Sequence, residues 1–230
     1  MATLSSTFLP HLAALTVLLS LTGCSDPPAT SPSSANKTAA PAAEDSSAST
    51  PIAEWKLTEE QQALLGEKFE MGQFVFQPPK SFTFIEQVQQ GNSYTWVGPV
   101  RQDETYPMLM VIIVPLRSVN YPSLEAMLED SINGIRPHRN SFSSSPIETG
   151  MVGDLKFVRS HVVGEVADGA REGLIGRTMH TTLYVTENNN TIVQILCQDV
   201  APDHEPGMAE AEAAAMSFTA KPLAMQSAED

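Results

Sequence analysis

The apolar positions along the chain change period several times, and each change marks an element. Phe74 and Phe76 alternate with Gln73, Val75 and Gln77 until Pro78 and Pro79 end the run, which predicts a short strand. "SYTWVGPV" and "PMLMVIIVPL" read as two further strands, and the second is apolar throughout, as a central strand covered on both faces would be. "YPSLEAMLEDSINGI" then shifts to helical spacing. Leu124, Met127, Leu128, Ile132 and Ile135 share one face, Ser123 is placed to cap the helix, and Gly134 with Pro137 beyond it predicts the stop.

Period two returns in "PIETGMV", "LKFVRSHVVGEVA", "GLIGRTMHTTLYVTE" and "TIVQILCQDV". "DGAREG" and the Asn188 to Asn190 run are short and rich in Gly, Asn or Asp, so they predict antiparallel hairpins. A turn centred near Asp168 and Gly169 would set His161 opposite Arg177 or Thr178, and His180 beside Arg159 or Ser160. Thr58 and Gln61 have the spacing of a capping box, which opens a short helix ending near Gly66. "PGMAEAEAAAMSF" predicts a terminal helix with a thin stripe of Met208, Ala211, Ala215 and Phe218. The sum is an α+β domain over residues 54–220: an antiparallel β-sheet of about six strands flanked by helices. A chain of this length buries one core without disulfides. Residues 221–230 read as a frayed tail.

The N-terminal part follows different rules. Residues 8–21 are mostly Leu, Ala, Val and Phe, interrupted by Pro10 and His11, which is too short to span a bilayer but fits a signal-peptide core. The stretch ends Leu21-Thr22-Gly23-Cys24, which resembles the bacterial lipobox. That resemblance implies a lipoprotein signal peptide over residues 1–23, lipidation at Cys24 and a membrane contact through the acyl chains; Ser25 after the cysteine favours the outer membrane. Acyl chains add about 0.8 kcal/mol per buried CH₂, so two or three chains hold firmly. Residues 24–53 are almost entirely Ser, Thr, Ala and Pro and predict a flexible tether with a root-mean-square span of roughly 30 Å.

Charge narrows the partners. A net charge of −14, with 13 basic against 27 acidic residues, argues against nucleic acid and against anionic lipid head groups. Two cysteines make no disulfide framework, and Cys197 falls on a strand face with Thr191, Val193 and Ile195, where it reads as a buried thiol. His138, His161, His180 and His204 show no HxH, HxxxH or HExxH spacing, so neither a metal nor another cofactor is expected. GxSxG, P-loop and GxGxxG motifs are also missing, which leaves no catalytic residue to name.

The layout resembles the PsbP-like family. The features that carry the resemblance are Phe74 and Phe76 running into Pro79 and Phe82, the aromatic strand at Tyr94 and Trp96, the helix "SLEAMLEDSI", the long hairpin and the closing Ser217-Phe218. The resemblance implies an α/β/α sandwich that docks other proteins rather than a catalyst. The densest positive charge lies between Ile135 and Pro146, where a polar Ser-rich loop is expected to carry Arg136, His138, Arg139 and Phe142 as a partner-binding site. The expected function is therefore an envelope lipoprotein that binds another envelope protein. A hydrolase using two carboxylates, and a small-molecule binder with its cavity beneath the long hairpin, are the alternatives.

Overall fold

The computed structural model describes residues 52–85, 92–116 and 121–221. The expected signal peptide, Cys24, all of the tether before Ile52 and the tail after Lys221 lie outside the described residues. The globular unit runs from Ile52.

The fold is α+β. Four long strands form its middle: β6 (Met108–Pro115), β9 (Leu155–Val166), β10 (Thr178–Asn188) and β11 (Thr191–Val200). Shorter strands extend the sheet on both sides: β1 (Ala53–Glu54), β8 (Glu148–Val152) and β7 (Arg139–Ser144) beyond β9, and β5 (Ser93–Val97) and β4 (Thr83–Ile85) beyond β6. The order is β1-β8-β9-β10-β11-β6-β5-β4, with β7 also paired to β9, nine strands in all. β1 runs parallel to β8, and the other pairs are antiparallel. The sheet is larger than the six or so strands expected because β1, β4 and β7 are too short or too polar to show a period of their own. β2 (Phe69–Met71) and β3 (Phe74–Phe76) form a hairpin around Gly72, whose φ of +57° suits glycine, and β12 (Thr219–Ala220) joins them in a separate small sheet.

The helices follow their local signals. In α1 (Glu59–Ala63) both capping-box bonds form: Gln61 N–H donates to Thr58 Oγ1 at 3.2 Å, and Thr58 N–H donates to Gln61 Oε1 at 2.9 Å. In α2 (Leu124–Ile135) the Ser123 hydroxyl accepts from Ala126 N–H at 3.1 Å. Gly134 does not stop this helix; it runs to Ile135 and tightens into a 3-10 turn over Arg136–His138 with Pro137 inside. α3 (Glu205–Ala215) buries Gly207, Met208, Ala211 and Ala215. Phe218, beyond its end, is fully buried and stacks on Phe76 with centroids 4.9 Å apart.

Alternation along the strands splits the core into two layers. On one face α2 places Met127, Leu128 and Ile132 over Val158, Val162, Leu183, Val185 and Ile192. On the other, α3 and the small sheet cover Phe157, Tyr184, Val193, Ile195 and Cys197. β6 is interior to the sheet as its apolar run predicts, but only its Leu109 and Val111 face is fully buried; Met110 and Ile112 are half-exposed.

Candidate functional site

The predicted binding segment is not a loop. Arg139 to Ser144 forms β7, which pairs with the far half of β9 in the register Arg139 to Val166 and Ser144 to Val162. Its serines carry no hydrophobic alternation, so the pairing cannot be read from pattern. The backbone bonds are supplied by β9, which outruns β8 and leaves half its edge free for a second partner. A register shift between Asn140 and Ser143 bulges the strand, and Ser141 takes a positive φ of 48°.

The four predicted residues do come together at this end of the domain. Arg136 and His138 are exposed on the 3-10 turn, and Arg139 and Phe142 are half-buried on β7. The Arg136 guanidinium lies over the Phe142 ring, 4.4 Å from its centroid. Arg139 donates to the His138 carbonyl at 3.0 Å and to Met179 Sδ at 2.8 Å. Burial without a carboxylate pushes its guanidinium pKa down. The other described arginines are matched: Arg101 to Asp199, Arg159 to Glu148, Arg171 to Glu104 and Arg177 to Asp103. Among the described residues, Arg136 and Arg139 have no acidic partner.

A second polar group lies beneath α3, on the hairpin the sequence predicts but in a different register. The chain from 167 to 177 contains a 3-10 turn at Glu172–Leu174, so the hairpin is wider than a turn at Asp168-Gly169 allows. The true register sets His161 opposite Thr182 and His180 opposite Val163. His161 and His180 therefore share a face on neighbouring strands, and His204, leading into α3, closes over them. The Thr182 hydroxyl donates to Glu212 Oε1 at 2.6 Å, so its oxygen accepts from His161 Nδ1 at 2.9 Å. His161 Nε2 is then left to accept from His180 Nδ1 at 3.3 Å. The His180 and His204 rings stack 3.6 Å apart. Burial lowers the pKa of His161 and of His180, and the neighbouring imidazoles add to the His180 shift. Among the described residues no three His, Cys, Asp or Glu side chains converge in a way that could hold a metal. Stacked rings direct their nitrogens sideways, not at a shared point. Cys197 is fully buried in the same layer, and burial pushes its thiol well up, as a small hydrophobe's would be.

Beside this chain, the Asp199 carboxylate is fully buried and takes a bidentate pair from Arg101, at 2.7 and 2.5 Å. Arg101 also donates to the Asp203 carbonyl at 2.7 Å, which ties the β5–β6 connection to the approach of α3.

No family model matches the chain, and no curated protein matches it by sequence. Solved structures do align with it. The Ran-binding protein Mog1p of Saccharomyces cerevisiae is 12% identical, with 68% of this chain and 96% of that one covered and a TM-score of 0.49. A cyanobacterial PsbP from Synechocystis is 13% identical, covering 67% and 91% with a TM-score of 0.47. LpqN of Mycobacterium tuberculosis, described as involved in cell envelope biogenesis, is 12% identical, covering 65% and 83% with a TM-score of 0.43.

One of these two groups was within reach of sequence reading. The cationic segment stands out by charge alone. The histidine chain required the hairpin register, which the equal parity of His180, Thr182 and Tyr184 within one strand does not supply.

Proposed function

We propose that this protein is a lipid-anchored docking protein of the bacterial cell envelope, held at Cys24 and presenting the Arg136–Phe142 end of its domain to an acidic patch on another envelope protein. The observation that carries the reading is the pair of arginines without acidic partners, in a chain of net charge −14 whose other described arginines are matched. Arg136, set against Phe142 on an exposed turn, offers a planar cation with its donors free for a carboxylate. Arg139 stiffens the base of the site through His138 and Met179. The acyl group and the 24–53 tether set the domain within reach of the membrane surface, with the outer membrane favoured by Ser25. The role is binding, without chemistry on the partner.

In-cell cross-linking of the intact chain tests this. One envelope protein should be recovered reproducibly, and Arg136→Glu should lose it while the melting temperature holds. Recovery of abundant bystanders alone, or an unchanged cross-link in Arg136→Glu, rejects the docking site. Mass analysis of the mature N-terminus tests the anchor separately: an unmodified Cys24, or a Cys24→Ser chain equally retained by membranes, rejects it.

A further inference from the structure

At the end of the sheet away from any of these groups, the β2–β3 and β10–β11 turns meet and enclose an open cleft of about 390 Å³. Gln73 Nε2 donates to the Asn188 carbonyl at 2.9 Å and joins the two turns. Asn189 and Asn190 both take positive φ, 45° and 58°, as the tight turn of a two-residue hairpin requires. Tyr94 and Ile113 form the cleft's wall, and Gln73, Asn92, Asn189 and Thr191 bring amides and a hydroxyl to it. The Tyr94 ring is fixed from behind, edge-on to Phe69 at 6.0 Å and stacked near Trp96 at 6.4 Å. Asn92 is fixed through its carbonyl, which accepts from Ile113 N–H at 2.7 Å.

The lining chemistry selects a ligand class. No charged side chain is among the described lining residues, although Asp and Glu number 27 in the chain. A charged ligand would be desolvated there without a counter-charge. A wholly apolar ligand would strand the amides and the hydroxyl, each a costly loss of solvation. A molecule with an apolar C–H face and several neutral hydroxyls satisfies both requirements. The size of the cleft falls in the small-ligand range. We infer that this cleft binds a neutral saccharide of one or two pyranose rings, with a ring face on Tyr94 and its hydroxyls on the Asn92, Asn189 and Gln73 amides. The site is independent of the docking site and of the anchor.

The test is a titration of the full-length chain with maltose, cellobiose and N,N′-diacetylchitobiose, followed by amide chemical shifts. At least one sugar should saturate by about 10 mM, with shifts centred on residues 71–74, 92–94, 113 and 188–191. Tyr94→Ala should weaken binding about tenfold or more. Because Tyr94 also packs on Phe69, Asn189→Asp supplies a second variant. It keeps the side-chain size and the tolerance of positive φ, introduces a charge, and should weaken binding while leaving the fold's spectrum intact. No saturable shift with any of the three sugars overturns the inference. So do shifts centred elsewhere, unchanged affinity in Asn189→Asp, or glucuronate binding as tightly as the neutral sugars.

Discussion

The two faces of the main sheet are covered by helices of opposite character. α2 lays an aliphatic stripe on aliphatic strands, and the buried side-chain polar links described on that face join neutral groups: Gln194 Nε2 donates to Ser131 Oγ at 3.0 Å, Gln198 Nε2 to Thr181 Oγ1 at 3.2 Å and Ser160 Oγ to the Ser145 carbonyl at 2.9 Å. α3 turns alanines, Met208 and Gly207 to the sheet, lies close to it, and covers aromatics together with the His161–His180–His204 chain, Thr182 bonded to its own Glu212, Cys197 and the Arg101–Asp199 pair. A Cβ at Gly207 would collide with Asp199 and Pro107, so this helix approaches as near as a backbone can. Burial on the α2 face is cohesive whatever the ionic state of the solvent. On the α3 face it depends on each polar group keeping its partner, so that is where the fold is conditional.

Four experiments set the faces against each other. The largest effect belongs to Asp199→Ala, which leaves Arg101 half-buried and unpaired and should cost about 4 kcal/mol in denaturant unfolding. A loss under about 1 kcal/mol would show that the ion pair is incidental to the α3 face. Next comes Leu128→Ala on the opposite face, a fully buried aliphatic truncation that should cost about 3 kcal/mol. Its penalty should be the same near neutrality and in mild acid; a penalty that changes with pH would couple the two faces.

The third is the pH dependence of the wild-type chain. His161 and His180 have folded pKa values below the ordinary 6.5, with burial the main cause; Glu212 and Asp199 pull the other way without reversing the sign. Above that value neither state gains a proton. As pH falls through it, the unfolded chain binds protons that the folded one resists, so stability falls until the folded pKa values are reached. Melting temperature should therefore drop between neutral pH and about pH 5, and His180→Phe should flatten the drop. A flat wild-type profile in that window would remove the conditional character assigned to this face. The smallest effect is at Tyr184, whose hydroxyl is buried with no hydrogen-bond partner among the described residues. Tyr184→Phe should be neutral or stabilising by about 1 kcal/mol at most. Marked destabilisation would reveal a partner for that hydroxyl.

The α2 face was largely legible from sequence. Leu124, Met127, Leu128, Ile132 and Ile135 announce their shared stripe, Ser123 its cap, and β9, β10 and β11 their alternation. The capping box at Thr58 and Gln61 was equally local and equally readable. What lay hidden was non-local. β7 has no alternation because its stability comes from the unused half of β9, and β1 contributes only Ala53 and Glu54 to a parallel pairing with a strand nearly a hundred residues away. The four docking-site residues were visible as charge, but their strand was not. The histidine chain was invisible for the same reason: His161, His180 and His204 meet only through a hairpin register and a returning helix, and the connection over 167–177 disguised that register.

The attachment of β1 has a mechanical consequence. Trp55 lies against Gly150, where any Cβ would collide with the indole; its backbone N–H donates to the Met151 carbonyl at 2.8 Å, and the Arg159 guanidinium covers its ring at 4.3 Å. A pull transmitted along the chain from the N-terminal side reaches this latch first. Because β1 runs parallel to β8 at the sheet's rim, its few bonds would detach before tension arrived at the long interior strands. The domain would then lengthen slightly under strain with its centre intact, a yield point positioned where the chain enters the fold.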